Sequence, residues 1–285
     1  MQANDLPTDL RPDARPAWHA RLMLEYGHER GRTVLARREH EGPLAVQKSL
    51  YPEGGICHNF VLHPPAGIAN GDELDIDVRL GHRAHVVLST PGAGKWYRSA
   101  GALAQQQLKF AVGDGAVLEW LPQETIFYSG AIAQLHTRID LHRNARYLGW
   151  EINCLGLSAS DSPFAAGRVR QHSEIFTDGR LRWSEQGRIC GDDPLLASVV
   201  GLGQFSLHAT MVAVGAQFDP ALIQALRALN STDRLLAVTL VDNVLVLRHL
   251  GHSAQTARNL FAECRKLLRP ALCAVEAQSL RIWNT

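Results

Sequence analysis

The chain has 285 residues, of which 46% are hydrophobic, and its 29 basic and 28 acidic side chains leave a formal net charge of +1. A charge so close to balance provides no long-range attraction for nucleic acid or for an anionic lipid surface. Charged residues interrupt every apolar run before the roughly 18 residues that cross a bilayer, and the first five residues lack the basic and apolar regions of a secretory signal. The composition therefore predicts a soluble cytoplasmic protein that binds neither nucleic acid nor membrane.

The cysteines are scattered and contain no C-x-x-C pair. In a chain of this length they are expected to be reduced thiols in the core, and the paired spacing of a structural zinc site is missing. The five cysteines are Cys57, Cys154, Cys190, Cys264 and Cys273.

Residues 1–17 are rich in proline and charge and lack periodicity, so we expect a mobile tail followed by a single domain over 18–285. Alternating apolar residues at 21–26 and 32–37 predict two paired strands around a glycine-containing turn. A second hairpin is predicted around Asp178-Gly179, because glycine supplies the positive φ of a type I′ turn.

A weak internal repeat occupies the middle of the chain. The spacing of Val78, Leu80, Ala84, Val86 and Leu88 returns at 110–120 and again at 139–149, with a period of about 30 residues. Each copy predicts a strand, a tight polar turn and a second strand. Hairpins repeated at a fixed period indicate stacked strand layers, as in sandwiches, propellers or β-helices.

The last third of the chain adds two predicted helices. Asp219-Pro220 provides an N-cap and a first-turn proline for a short helix over 221–229. A hairpin over 235–250 follows, and Ser253 begins a second helix that we expect to end before Pro270, with Arg265, Lys266 and Arg269 at its negative end. The fold class predicted is mostly β, a β-helix-like or sandwich stack of strands with about two α-helices near the C-terminus.

Two candidate motifs, a phosphate-binding loop and a histidine metal chelate, lack a feature that their function requires. Pro91–Lys95 resembles part of a phosphate-binding loop, but the full motif requires glycine at Ser89 and a hydroxyl at Trp96, so Lys95 is left for another role. His58 and His63 lie five residues apart and His82 and His85 lie three apart. Odd separations on a strand point to opposite faces, so scattered surface histidines are favoured over a chelating pair.

Three carboxylates lie in strongly apolar segments. Glu119 and Glu124 are part of VLEWLPQETIF, and Glu151 is part of YLGWEINCLG. A carboxylate in such surroundings must be paired, bound to a metal or in contact with internal water, because burying it alone costs several kcal/mol. Two such acids also suit a glycosidase, so a β-helical carbohydrate-active hydrolase with paired carboxylates is the alternative function.

These segments resemble the family of the urease accessory protein UreD, also called UreH. The resemblance covers roughly residues 20–190. Ala66 and Asn70 stand where the family commonly has glycine, and Gly94 stands where it commonly has threonine. The matching blocks are EGPL at 41–44 with VQK at 46–48, LYPEG at 50–54, HPPAGIANGD at 63–72, TPGAGKWYRS at 90–99, LEWLPQET at 118–125 and LGWE at 148–151.

The resemblance implies a β-rich fold of stacked strands and a maturation factor that is not an enzyme. Members of the family assemble with the accessory protein UreF and the GTPase UreG and then bind apo-urease for nickel delivery. They are thought to route Ni²⁺ through an internal, water-filled passage. No permanently bound cofactor and no stable metal site are implied, since Ni²⁺ would be in transit.

A passage of this kind requires isolated oxygen ligands, because a dense Cys/His cage would retain the cation whereas several weak sites let it move on. The candidates on this basis are Asp72, Thr90, Ser99, Gln123, Glu124 and Glu151, with Lys95 and Glu119 as possible supporting residues. Asp72 follows Gly71 and can equally be a turn residue that hydrogen-bonds its own backbone. A purely structural docking module is the third hypothesis.

Overall fold

A computed structural model describes residues 17–65, 67–157, 160 and 162–280. Most of this part of the chain forms strands, with two α-helices and one short 3-10 helix, Pro194–Leu196, in its last third. The strands are β1 (His19–Glu29), β2 (Arg32–Glu41), β3 (Ala45–Val46), β4 (Leu50–Glu53), β5 (Ile56–Leu62), β6 (Glu73–Leu80), β7 (His85–Ser89), β8 (Gly94–Trp96), β9 (Ala104–Val112), β10 (Val117–Leu121), β11 (Thr125–Phe127), β12 (Ile132–Leu141), β13 (Arg146–Leu157), β14 (Ser162–Pro163), β15 (Arg168–Thr177), β16 (Arg180–Cys190), β17 (Leu207–Val214), β18 (Leu235–Val241) and β19 (Val244–Gly251).

The strands form two sheets that stack face to face. The first is seven-stranded, in the order β16-β15-β12-β9-β6-β1-β2. The second is twelve-stranded and is built on the order β18-β19-β17-β13-β10-β7-β5-β3, with β4, β8, β11 and β14 at its margins. The middle strands of both sheets are parallel, as in a solenoid of stacked coils, which confirms the predicted fold class.

The internal repeat corresponds to three successive coils. Its copies are β6 with β7, β9 with β10 and β12 with β13, and the turn alanines Ala84, Ala116 and Ala145 are all buried. The two strands of one copy do not form the expected hairpin; they enter different sheets, and each pairs in parallel with its counterparts in the neighbouring copies. The tight polar turn is therefore a corner of the coil. A Cβ atom on the corner residue Gly113 would lie 2.6 Å from the Leu80 carbonyl oxygen, so glycine permits this close stacking.

Two apolar cores result from this arrangement. One fills the space between the sheets, and the other lies between the twelve-stranded sheet and the helices. Strand β10 is buried on both faces, so its alternating side chains divide between the cores: Leu118 and Trp120 enter the first, and Val117 and Leu121 enter the second. Glu119 shares the helix-facing side with Val117 and Leu121.

The helices are α1 (Pro220–Arg227) and α2 (Ala254–Cys273), and their N-caps are Asp219 and Ser253, as predicted. The prediction that α2 ends before Pro270 was wrong, since the helix continues through the proline to Cys273. An interior proline costs about 3 kcal/mol through the lost hydrogen bond and ring clash. Leu272 and Cys273 are buried beyond the proline, and their burial offsets this cost.

The hairpin predictions at β1–β2, β15–β16 and β18–β19 are confirmed. At the second of these turns Asp178 and Gly179 have φ values of 48° and 74°, as a type I′ turn requires. The predicted tail over 1–17 lies outside the described residues except for Ala17. Among the residues that the structure describes, no helix is both long enough and apolar enough to span a membrane.

Candidate functional site

Two cavities lie between the sheets. The larger has a volume of about 640 Å³ and is lined from the seven-stranded sheet by β12, β15 and β16, and from the other sheet by β13, β17, β18 and β19. The smaller, about 410 Å³, lies on the other side of the β12–β13 coil and is lined by β6, β9 and the segment 90–95, among others.

The two cavities share three lining residues: Thr137 of β12, and Glu151 and Asn153 of β13. Glu151 and Asn153 are two residues apart on one strand, so their side chains are on the same face, opposite Thr137 in the facing sheet. This polar group, Thr137, Glu151 and Asn153, is called the junction below.

Glu151 has neutral partners at the junction. Its Oε1 accepts a hydrogen bond from the Thr137 hydroxyl at 3.2 Å, and its Oε2 accepts one from the Gln171 amide at 3.3 Å. Burial raises the pKa of Glu151, and the charge of Glu185 raises it further, against the opposing effect of the Thr137 hydrogen bond. The carboxyl group therefore holds its proton more readily than an exposed glutamate does.

Further polar side chains line the larger cavity beside the junction. In the register of β13 with β17, His208 lies opposite Asn153 and Thr210 lies opposite Glu151. Burial, with the nearby Arg248, lowers the pKa of His208 to about 4, so its imidazole is neutral near pH 7. Arg248 forms an ion pair with Glu185 across the cavity. Polar ligand atoms thus occur singly along this wall.

Four of the eight predicted site residues line the smaller cavity: Thr90, Lys95, Gln123 and Glu151. Thr90 Oγ1 accepts a hydrogen bond from the Gln123 backbone at 2.9 Å, which fixes the segment 90–95 against the end of β10. The Gln123 side chain accepts a hydrogen bond from Arg258 of α2.

The other four predicted site residues lie elsewhere. Glu124 pairs with Arg258 at 2.7 Å and does not line either cavity. Ser99 hydrogen-bonds to Asn70 at 3.1 Å in a loop. The buried Asp72 carboxylate accepts backbone hydrogen bonds from Trp18 at 2.9 Å and Ala69 at 2.8 Å, which is the turn role considered as its alternative.

Glu119 is the centre of a buried ion network on the helix side of the twelve-stranded sheet. Its carboxylate accepts from Arg265 at 2.8 Å and Arg269 at 3.0 Å, and it lies 2.9 Å from His85 Nε2. Burial alone would raise the pKa of this carboxyl, but Arg265, His85 and Arg269 together hold it well below its usual value. The expectation that Arg265 and Arg269 simply face the negative end of α2 was wrong, because both are buried in this network.

The histidines are also less scattered than predicted. His58 is 2% exposed and lies 2.9 Å from Glu53, which Arg269 also contacts, so it extends the network around Glu119. His85 joins the same network, and His63 lines the smaller cavity. His82 remains a surface residue, 3.4 Å from Asp114.

Sequence reasoning missed Thr137, Asn153, Gln171 and His208. The strand alternation of WEINC was a usable signal for Asn153, since it places this residue on the face of Glu151. The other three come from strands whose proximity depends on how the coils stack, and no local pattern reports that.

Comparisons with known proteins agree on one family. The model of the UreD urease accessory protein family matches residues 19–284. The protein named urease accessory protein UreD of Dechloromonas aromatica (strain RCB) is 44% identical over 280 residues, covering 96% of this chain and 97% of the relative. The equivalent proteins of Azoarcus sp. (strain BH72) and Pseudomonas aeruginosa are each 46% identical, and each alignment covers 95% of this chain and 96% of the relative.

Proposed function

The chain belongs to the UreD family of urease accessory proteins, and we propose that it guides Ni²⁺ through its interior to the urease active site during maturation. The relatives are named as accessory proteins and not as enzymes, and this chain is likewise an accessory protein. The observation that supports a route for the cation is the junction, where two cavities on opposite sides of one coil share Glu151.

The chemistry of the junction suits a cation in transit. Carboxylate, amide and hydroxyl oxygens are acceptable ligands for a divalent first-row metal, but three of them without thiolate or a second carboxylate make a weak site. Because burial raises the pKa of Glu151, a proton competes with the cation for this carboxylate more strongly than at an exposed glutamate, which weakens retention further. Weak sites in series allow release as well as entry.

We also propose that the chain works in the cytoplasm in a complex with UreF, the GTPase UreG and apo-urease. Lys95 lies in strand β8, and a phosphate loop would instead lead into a helix whose N-terminus faces the phosphates. This agrees with the proposal that a GTPase partner provides the nucleotide chemistry.

The test is the maturation of urease with Glu151→Gln, which preserves shape and removes the charge. Urease purified after co-expression with this variant and the other accessory proteins is expected to contain less nickel than with the wild-type chain, while the accessory complex still co-purifies. The matched control is Asp77→Asn, because Asp77 is also a strand carboxylate but pairs with Arg79 at the surface and does not line either cavity.

Unchanged nickel content with Glu151→Gln, and also with the bulkier apolar change Asn153→Leu at the same junction, would contradict the interior route. Normal maturation in both variants would instead favour the purely structural docking module. The hydrolase alternative has no support, since Glu124 and Glu151 do not share a cavity and Glu124 is paired with Arg258.

A further inference from the structure

A second group of ligand-type side chains, called the outer group below, lies on the face of the seven-stranded sheet opposite Thr137 and Gln171, and one of its members, His136, also lines the smaller cavity. His136 of β12 and His172 of β15 are directly opposite each other in the parallel register, and Glu174 is two residues beyond His172 on the same face. Their neighbours in sequence, Thr137 and Gln171, face the cavities. The three side chains are partly exposed, with exposed fractions of 35%, 32% and 19% for His136, His172 and Glu174.

The geometry brings three ligand atoms to one point. The two imidazole rings are stacked, with centroids 5.0 Å apart and an angle of 9° between their planes. His136 Nε2 lies 3.1 Å from Glu174 Oε2, and His172 Nε2 lies 3.8 Å from Glu174 Oε1. One ligand atom from each residue lies within 4.8 Å of the other two.

We propose that His136, His172 and Glu174 form a binding site for a divalent first-row transition cation, with two imidazole nitrogens and one carboxylate oxygen as ligands. Metal–ligand bonds of about 2.0–2.2 Å in a tetrahedral arrangement place neighbouring ligand atoms roughly 3.3 Å apart. The two distances from Glu174 are close to this value but end on its two different oxygens, so binding one cation requires small rotations of these partly exposed side chains. Imidazole with carboxylate suits zinc, nickel and copper better than magnesium or calcium.

The contacts of His172 are with neutral groups that a cation can replace. The Gln186 amide and the Ser184 hydroxyl each lie 3.3 Å from His172 Nε2, and a bound cation would take the place of these contacts. Arg138, opposite Glu174 in the register, directs its hydrogen bonds to both oxygens of Asp140 and not to Glu174.

Comparison with the other three-residue group in the described chain strengthens the assignment. His85, Glu119 and Cys273 also bring ligand atoms within 4.8 Å of one another. There, however, Arg265 and Arg269 already occupy both oxygens of Glu119, and two guanidinium charges repel a metal cation. In the described part of the chain no arginine hydrogen-bonds to Glu174 of the outer group, and the nearby Arg138 is neutralised by its ion pair with Asp140.

The test is equilibrium dialysis of the purified full-length chain against NiCl₂ and, separately, ZnCl₂, followed by metal analysis. The substitutions His136→Asn and His172→Asn are each expected to remove one bound equivalent or to weaken it at least about 100-fold, since even the loss of an outer-shell partner costs 10–100-fold. Thermal unfolding of each variant shows whether the fold is kept, and Glu174→Gln provides a third, nearly isosteric variant.

The matched control is His142→Asn. His142 and His82 flank Asp114 at 3.2 and 3.4 Å, but the ligand atoms of this trio do not all lie within 4.8 Å of one another, so its loss is expected to leave metal binding unchanged. Equal metal content in the wild-type protein and in folded His136, His172 and Glu174 variants would overturn the proposal, as would an equal loss in the His142 variant. The outcome does not depend on the interior route, which is tested at Glu151.

Discussion

The network around Glu119 provides the strongest test of how this fold is held together. Glu119 of β10 is fully buried, and its side chain faces α2, where it joins two arginines that are themselves buried. Glu119→Gln preserves the shape of the side chain but removes the negative charge that Arg265 and Arg269 share. Removing one partner of a buried ion pair typically costs about 3–5 kcal/mol, because it leaves an uncompensated charge inside the protein.

This loss can be expressed as a melting temperature. With an unfolding entropy of about 2.1 cal/mol/K for each of the 260 residues that the structure describes, 1 kcal/mol corresponds to a shift of about 2 °C. Glu119→Gln is therefore expected to lower Tm by about 5–9 °C at pH 7, measured by circular dichroism, with a matching loss in urea unfolding. Asp140→Asn, which removes a partly exposed ion pair with Arg138, is the control and should melt within error of the wild type.

The pH dependence gives a second check on the same residue. Because the folded protein holds the pKa of Glu119 well below the reference value of 4.5, its contribution to stability is complete above that reference value and disappears as the pH falls below it. The difference between wild type and variant should thus be largest near neutral pH and shrink in acid. A Tm shift of less than about 2 °C at pH 7, or a difference that grows in acid, would refute the reasoning.

Two further predictions concern groups at the cavities. Because burial raises the pKa of Glu151, the wild-type protein loses stability as the pH rises past the reference value of 4.5. Glu151→Gln should therefore be at least as stable as the wild type in urea at pH 7.5 and lose this advantage near pH 4. A variant that is less stable than the wild type at pH 7.5 would contradict the assigned cause. Burial lowers the pKa of His208 to about 4, so an NMR titration of its imidazole should have a midpoint near that pH. The stability of the wild-type protein should fall between pH 6.5 and 4, and that of His208→Gln should fall less. A midpoint near 6.5 would show that the imidazole is not shielded from solvent.

The sequence predicted those features that depend on neighbouring residues. The Asp178-Gly179 turn and the N-caps Asp219 and Ser253 are chemical signals contained within a few positions, and all three are present. The three-copy repeat indicated stacked strands, but a tight turn between two strands has the same local pattern whether the strands pair with each other or enter different sheets. The local sequence pattern could therefore not distinguish hairpins from coils.

In the candidate site, too, local signals were predictable from the sequence and long-range partners were not. Glu151 was identifiable because an acid among large apolar residues needs a special environment. Whether Glu119 lies in a passage or in an ion network depended on Arg265, 146 positions away in the chain, and no local periodicity reports such a partner. The outer pair His136 and His172 is likewise created by the register between β12 and β15.

The way in which the stack of coils ends has a consequence for the assembly of the protein. Parallel coils expose backbone donors and acceptors at both ends of a sheet, which is a template for indefinite growth by addition of further copies. In the seven-stranded sheet the last strand at each end, β2 or β16, runs antiparallel to its neighbour. Most residues of these two edge strands are exposed, and the strands are rich in arginine and glutamate. These terminal strands act as caps on a repeat, so the molecule stays finite and end-to-end fibre formation is disfavoured.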